Sequence, residues 1–231
     1  MPQNKPLAII AGAGPGLGMA LAHKLAEENY EVIALSRSQP KEKTENPNIH
    51  FKQIDLSDKA SVENATRQFV DEYGPPKVII HNTAQLVIKP FLETQAEEFS
   101  STWDAMMHSA VNICQATLPH MLTAGEGTII VTGATASLRG GKNFSAFSSA
   151  KFALRGLTQS LAREFQPQGI HVAHVILDGI IDTNKSRKLH ALDQARMMKA
   201  GDIAQAYWHI IQQPKSAWSH ELDLRPYQES F

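Results

Sequence analysis

Apolar positions along this chain follow two rhythms. Short β-branched runs alternate with longer stretches in which hydrophobic residues recur every three to four positions. The runs at 7–11, 30–35, 49–54, 77–81, 128–132 and 171–177 predict strands. The stretches at about 16–28, 58–73, 96–122 and 145–165 predict helices, and the alternating tail 217–227 reads as a last strand before the break at Pro226. Such alternation implies βαβ units with right-handed crossovers, so the expected fold class is α/β, with a doubly wound, mostly parallel sheet and helices on both faces. Gly74-Pro75-Pro76, Gly125 with Gly127, and Gly140-Gly141 fall between periodic segments and read as turns inside one domain spanning 1–231.

Composition narrows the function. Hydrophobic residues make up 42% and charged residues 19% of the 231 positions, enough for a sizeable core and against intrinsic disorder. Twenty-two Lys and Arg against 23 Asp and Glu leave a net charge of −1 without a basic stripe, so the expected partner is a small molecule rather than nucleic acid. The apolar run from Leu7 ends in glycines, and no stretch has the layout of a signal peptide or membrane span, which predicts a cytoplasmic protein with no membrane partner. Cys114, the lone cysteine, reads as a buried structural thiol. His171 and His174, three apart on a strand, fall on opposite faces, and no metal site is expected.

The segment Ala8-Ile9-Ile10-Ala11-Gly12-Ala13-Gly14-Pro15-Gly16-Leu17-Gly18 leaves the first strand and opens the first helix. Glycines there permit a tight turn and close approach of backbone to a pyrophosphate, whose charge the helix N-terminus stabilises; a plain tight turn is the other reading. The spacing Gly12-x-x-x-Gly16-x-Gly18 resembles the TGxxxGxG pattern of the short-chain dehydrogenase/reductase family, with Ala11 in the Thr position. Further matches follow in order over about residues 5–185. They are Arg37 after the second strand, Asp55-Leu56 after the third, His81-Asn82-Thr83-Ala84 in place of NNAG, Lys151 of YxxxK, and Asp178-Gly179 with Thr183 in place of PG and its downstream Thr.

The resemblance implies a Rossmann-type NAD(P)-binding oxidoreductase. Carried onto this chain, it implies cofactor contacts from Gly12, Pro15, Gly16, Leu17, Gly18, Ser36, Arg37, Asp55, Leu56, Asn82, Ala84, Lys151, Gly179 and Thr183. It also implies a homodimer or homotetramer packed through the helices at 96–122 and 145–165. At the end of the second strand, a carboxylate would bond the ribose 2′-hydroxyl of NAD, whereas an Arg would pair with the 2′-phosphate of NADP. Leu35-Ser36-Arg37-Ser38 has no carboxylate there, and Arg37 can offer a charge-assisted contact, so NADP(H) is favoured over NAD(H) unless Arg37 is merely a solvated loop residue.

Members of the family use Ser, Tyr and Lys, assisted by Asn, to move a proton while the nicotinamide moves a hydride. Phe147 occupies the Tyr position, four residues before Lys151 on the same helical face. Ala134, thirteen residues earlier, occupies the Ser position, and Met106, thirteen before Pro119, occupies the Asn position. Of the four catalytic positions, Lys151 alone keeps its residue, with a use in holding the nicotinamide ribose. Loss of a general acid costs about 10²–10⁴ in rate, and loss of an oxyanion donor costs similarly. Thr135, Ser137, Ser145, Ser148, His108 and Asp178 lie near enough in sequence to supply a displaced donor, although each reads more simply as a cap, turn or surface residue. Two functions follow: an NADP(H)-dependent oxidoreductase on a small carbonyl or alcohol with a degenerate active site, or a non-catalytic NADP(H)-binding sensor or regulatory protein.

Overall fold

All five residues of β1 (Leu7–Ala11) are buried, as a strand covered on both faces requires. In the computed structural model, which describes residues 5–38 and 45–229, β1 lies near the middle of a seven-stranded sheet of order β3-β2-β1-β4-β5-β6-β7. The other strands are β2 (Glu31–Ser36), β3 (Ile49–Gln53), β4 (Pro76–His81), β5 (Gly127–Thr132), β6 (Ile170–Leu177) and β7 (Glu221–Leu224). Every pairing is parallel. The strand order reverses between β1 and β4, which opens a crevice at their carboxyl ends.

Alternate side chains of the strands feed two cores. Ala8, Ile10, Val32 and Ile80 pack under α1 (Leu17–Glu27) and α7 (Ala200–Ile211), whose Tyr207 is fully buried. Leu7, Ile9, Ile79 and Ile129 pack under α2 (Lys59–Tyr73), α4 (Ser109–Ala124) and α5 (Ser145–Phe165). Cys114 is buried in this second core, and its thiol is pushed up to about 12 by burial. Among the described residues, no helix is long and apolar enough to cross a membrane.

Three features correct the sequence reading. The expected unbroken helix at 96–122 is α3 (Ala96–Trp103), a π-helical segment (Asp104–His108) and then α4. The π segment inserts one residue per turn and rotates the face that follows, which periodicity at 3.6 residues does not register. Two helices absent from the expected set also form, α6 (Asn184–Leu189) and α7.

Candidate cofactor and active site

The Gly-rich turn is fixed by its neighbours. Gly12 and Ala13 donate their N–H groups to the Leu35 carbonyl at 2.9 and 2.8 Å, and the Asn82 side-chain amide donates to the Gly12 carbonyl at 3.2 Å. Gly12 has φ +100°, and a Cβ there would lie 2.8 Å from the Asn82 carbonyl carbon. Gly16, at φ +105°, would meet the Thr183 methyl at 2.8 Å. Glycine is therefore demanded by crowding as well as by conformation. Among the described residues, nothing stands within 4 Å of a Cβ at Gly14, and no side chain caps the N-terminus of α1. Uncapped first-turn N–H groups beside open space form an anion-binding terminus, and this cradle fits a pyrophosphate.

From this turn a cleft of about 600 Å³ runs along the strand ends. Gly12, Pro15, Leu17, Gly18, Ser36, Arg37, Asp55, Leu56, Asn82, Ala84, Lys151, Gly179 and Thr183 all line it, while Gly16, the N-cap of α1, does not. At one end Asp55 accepts from the Ser57 hydroxyl at 2.7 Å; that bond lowers its carboxyl, and the Arg37 guanidinium adds to the effect. Arg37 is exposed beside it and reaches the cleft wall.

At the other end α5 brings Phe147 and Lys151 into the cleft lining, one turn apart, and Ala134 lines it from the loop after β5. Lys151 is 2% exposed, and its Nζ donates to the Thr132 carbonyl at 2.8 Å. Burial pulls its ammonium down to about 8. The Nζ also lies 5.7 Å from the Phe147 ring centre, within cation–π range.

Met106 takes no part in this cleft: it is fully buried in the core on the α4 side. The π segment instead turns Asp104 and Ala105 to the cleft, and Ser109 after it. None of the six displaced-donor candidates lines the cleft. Thr135 donates to Asp178, which also pairs with Arg225 at 3.2 Å. Ser137 is held between the Ala134 N–H and His174. His108 lies outside, 2.7 Å from Asp104. The Ser145 and Ser148 hydroxyl oxygens are buried without a partner among the described residues.

The cleft lining also contains polar residues that the sequence reading passed over: Thr83, Gln85, Ser101, Asp104 and Ser109. Thr83 lay within the His81–Ala84 motif itself. Ser109 stands three positions after Met106, on the neighbouring helical face, and that offset was the available signal.

A sequence model described as short chain dehydrogenase matches residues 6–193. An uncharacterized oxidoreductase of Staphylococcus epidermidis is 23% identical over 227 residues, covering 96% of this chain and 98% of its own length. Among solved structures, a short-chain dehydrogenase from Rhodopseudomonas palustris is 35% identical with a TM-score of 0.82, covering 98% of this chain and all of its own. ElxO with NADP bound is 23% identical with a TM-score of 0.86, covering 95% of this chain and 96% of its own.

Proposed function

The chain belongs to the short-chain dehydrogenase family, and from that premise we propose that it binds NADP(H) along the strand-end cleft and acts as an oxidoreductase on a small carbonyl or alcohol, with a degenerate proton-transfer site. One observation carries this reading: a single cleft joins an uncapped helix terminus and Arg37 at one end to the buried ammonium of Lys151 at the other. NADP(H), when bound there, supplies or accepts the hydride. The turn from Gly12 to Gly18 and the first N–H groups of α1 hold the pyrophosphate, Arg37 takes the 2′-phosphate, and Lys151 holds the nicotinamide ribose hydroxyls. Phe147 and Ala134 keep water out of the reacting end and move no proton. The fold neighbour ElxO is described with NADP bound and, in a tyrosine-to-phenylalanine form, with NADPH bound, which supports a dinucleotide in this fold.

Ala134 and Phe147 line the same cleft as Lys151, and this favours a second reading: a non-catalytic NADP(H)-binding sensor or regulatory protein. Titration calorimetry with NADPH and NADH, followed by a panel of small ketones and aldehydes read at 340 nm, separates the two. Micromolar NADPH binding with turnover supports the oxidoreductase; the same binding with no turnover supports the sensor; no binding of either dinucleotide defeats both. A homodimer or homotetramer built on α4 and α5 belongs to the same proposal. It draws support from Phe152, which is 44% exposed on α5, and a monomer in light scattering would reject it. A cytoplasmic setting accords with the single, buried thiol of Cys114.

A further inference from the structure

The end of β4 carries a buried polar cluster that the reading above leaves unused. The His81 ring is fully buried, and its Nε2 lies 2.8 Å from Ser109 Oγ and 2.9 Å from Thr83 Oγ1. The two hydroxyl oxygens are 3.2 Å apart, and both residues line the cleft. His81 pairs in register with Val131 on β5, next to Thr132, whose carbonyl holds Lys151. The cluster therefore faces the reacting end of the cleft across one strand spacing.

Proton placement in the cluster is determined by which atoms have partners. Burial, reinforced by the Lys151 charge, pulls His81 down to about 3, so at neutral pH the ring is uncharged and carries a single N–H. Nδ1 is buried with no partner among the described residues. A proton on Nδ1 would bury an orphan donor, whereas a proton on Nε2 leaves only an unused lone pair, the less costly defect. Nε2–H therefore donates to the hydroxyl oxygens. Ser109 directs its own hydrogen to the Ala105 carbonyl at 2.8 Å, as helical serines do. Thr83 Oγ1 accepts from His81, and among the described residues its hydrogen has only the Ser109 oxygen at 3.2 Å as an acceptor, a long contact that a better acceptor in the cleft can replace.

We propose that Thr83 is a catalytic residue: its hydroxyl, held by the His81 N–H, donates a hydrogen bond to the oxygen of a small carbonyl substrate, replacing the donors lost at Ala134 and Phe147. This rests on the oxidoreductase reading. In the reductive direction, the substrate carbon gains the hydride that bound NADPH would give up in becoming NADP⁺, the C=O π pair moves to oxygen, and Thr83 stabilises that charge without giving up its proton. The Lys151 Nζ–H bond breaks to protonate the oxygen, and solvent returns a proton to the amine.

The test compares wild type, Thr83→Val and Thr83→Ser. Turnover of the ketone and aldehyde panel with NADPH is measured alongside calorimetric NADPH affinity and the ¹⁵N-detected His81 tautomer. Expected results are an Nε2–H ring in wild type, a fall in kcat of about 100-fold in Thr83→Val with NADPH affinity within twofold, and recovery to within a few-fold in Thr83→Ser. Unchanged kcat in Thr83→Val overturns the proposal. So does a tenfold loss of NADPH affinity with kcat intact, which would make Thr83 a cofactor contact. If wild type binds NADPH but reduces nothing, the oxidoreductase reading fails by itself, and the tautomer then decides the hydrogen-bond assignment: Nε2–H supports it and Nδ1–H overturns it.

Discussion

Lys151 places its ammonium 5.7 Å from the centre of the Phe147 ring, one turn earlier on α5, with the Thr132 carbonyl 2.8 Å away as its hydrogen-bond acceptor. A phenol would have put a titrating hydroxyl beside this cation; the benzyl ring gives it only a polarisable face. The charge is thus buried with a carbonyl and an aromatic ring as its partners, and that arrangement has a stability consequence.

Burial lowers Lys151 from its ordinary 10.5 to about 8. A group whose folded pKa is depressed contributes full stability above its unfolded pKa and loses it as pH falls through the folded value, here between 10.5 and 8. At pH 7, holding the charge costs about 3 kcal/mol, at about 1.4 kcal/mol per tenfold change in proton affinity. Lys151→Met removes that cost and gives up one hydrogen bond to Thr132, so the cofactor-free variant should melt several degrees higher at pH 7. Its NADPH affinity should fall about tenfold. Differential scanning calorimetry and titration calorimetry check the pair; a lower melting temperature would show that the ammonium is better solvated than its burial implies.

Arg37 and Asp55 stand together at the far end of the cleft, with the guanidinium helping to keep the carboxyl ionised. If Arg37 meets a 2′-phosphate, Arg37→Ala should weaken NADPH by about 10- to 100-fold, the range for a charge-assisted hydrogen bond, and leave NADH within about threefold. Arg37→Asp should reverse the preference, because a carboxylate there repels the phosphate and accepts from the free ribose hydroxyl. Equal losses for both dinucleotides in Arg37→Ala would mean that the residue only shapes the loop.

Restoring the missing hydroxyls tests whether the scaffold still aligns a substrate. In Phe147→Tyr combined with Ala134→Ser, the new phenol lies beside the Lys151 ammonium, which favours its ionised form and draws its pKa down. At least a tenfold gain in NADPH-dependent reduction over wild type is expected across the ketone and aldehyde panel, with NADPH affinity within twofold. Intact binding without any gain would point to the sensor reading, since a positioned acid alone is worth about 10²–10⁴.

The strands and the glycine-rich end of the cleft were legible for the same reason: each imposes a local demand on residue type. Strands buried on both faces need continuous apolar runs, and the bounds of β1 to β6 agree with those runs within a residue or so. The glycines at 12 and 18 are required by backbone crowding that a missing Cβ relieves, and Gly16 by its φ of +105° against the Thr183 methyl. The α7 helix was also written in the chain, as Ile203, Ala204, Tyr207 and Ile210 at helical spacing on one face. The π segment and the contact of His81 with Ser109 were not legible. The first shifts helical phase without changing composition, and the second joins residues 28 positions apart through the packing of α4 on β4.

Buried histidines set an acid limit on the fold. His81 is pulled down to about 3 and His174 to about 4, both chiefly by burial; His171, stacked on Trp218 and donating to the Ser219 carbonyl at 2.9 Å, is lowered for the same reason. Each contributes full stability above the unfolded histidine pKa of about 6.5 and loses it as pH falls toward its folded value. By pH 5 the unfolded chain has protonated these rings while the folded chain has not, which for His81 and His174 together removes about 4 kcal/mol. The Glu221 carboxylate, held near 2 mainly by the bidentate Arg155 pair, loses its contribution only below about 4.5, so it leaves this window untouched. Unfolding free energy from guanidinium titrations should therefore fall by about 4 kcal/mol between pH 7 and pH 5, with a further steep loss below 4.5. His174→Gln should remove about half of the first drop, and a flat profile across that window would show that the rings take up protons without unfolding.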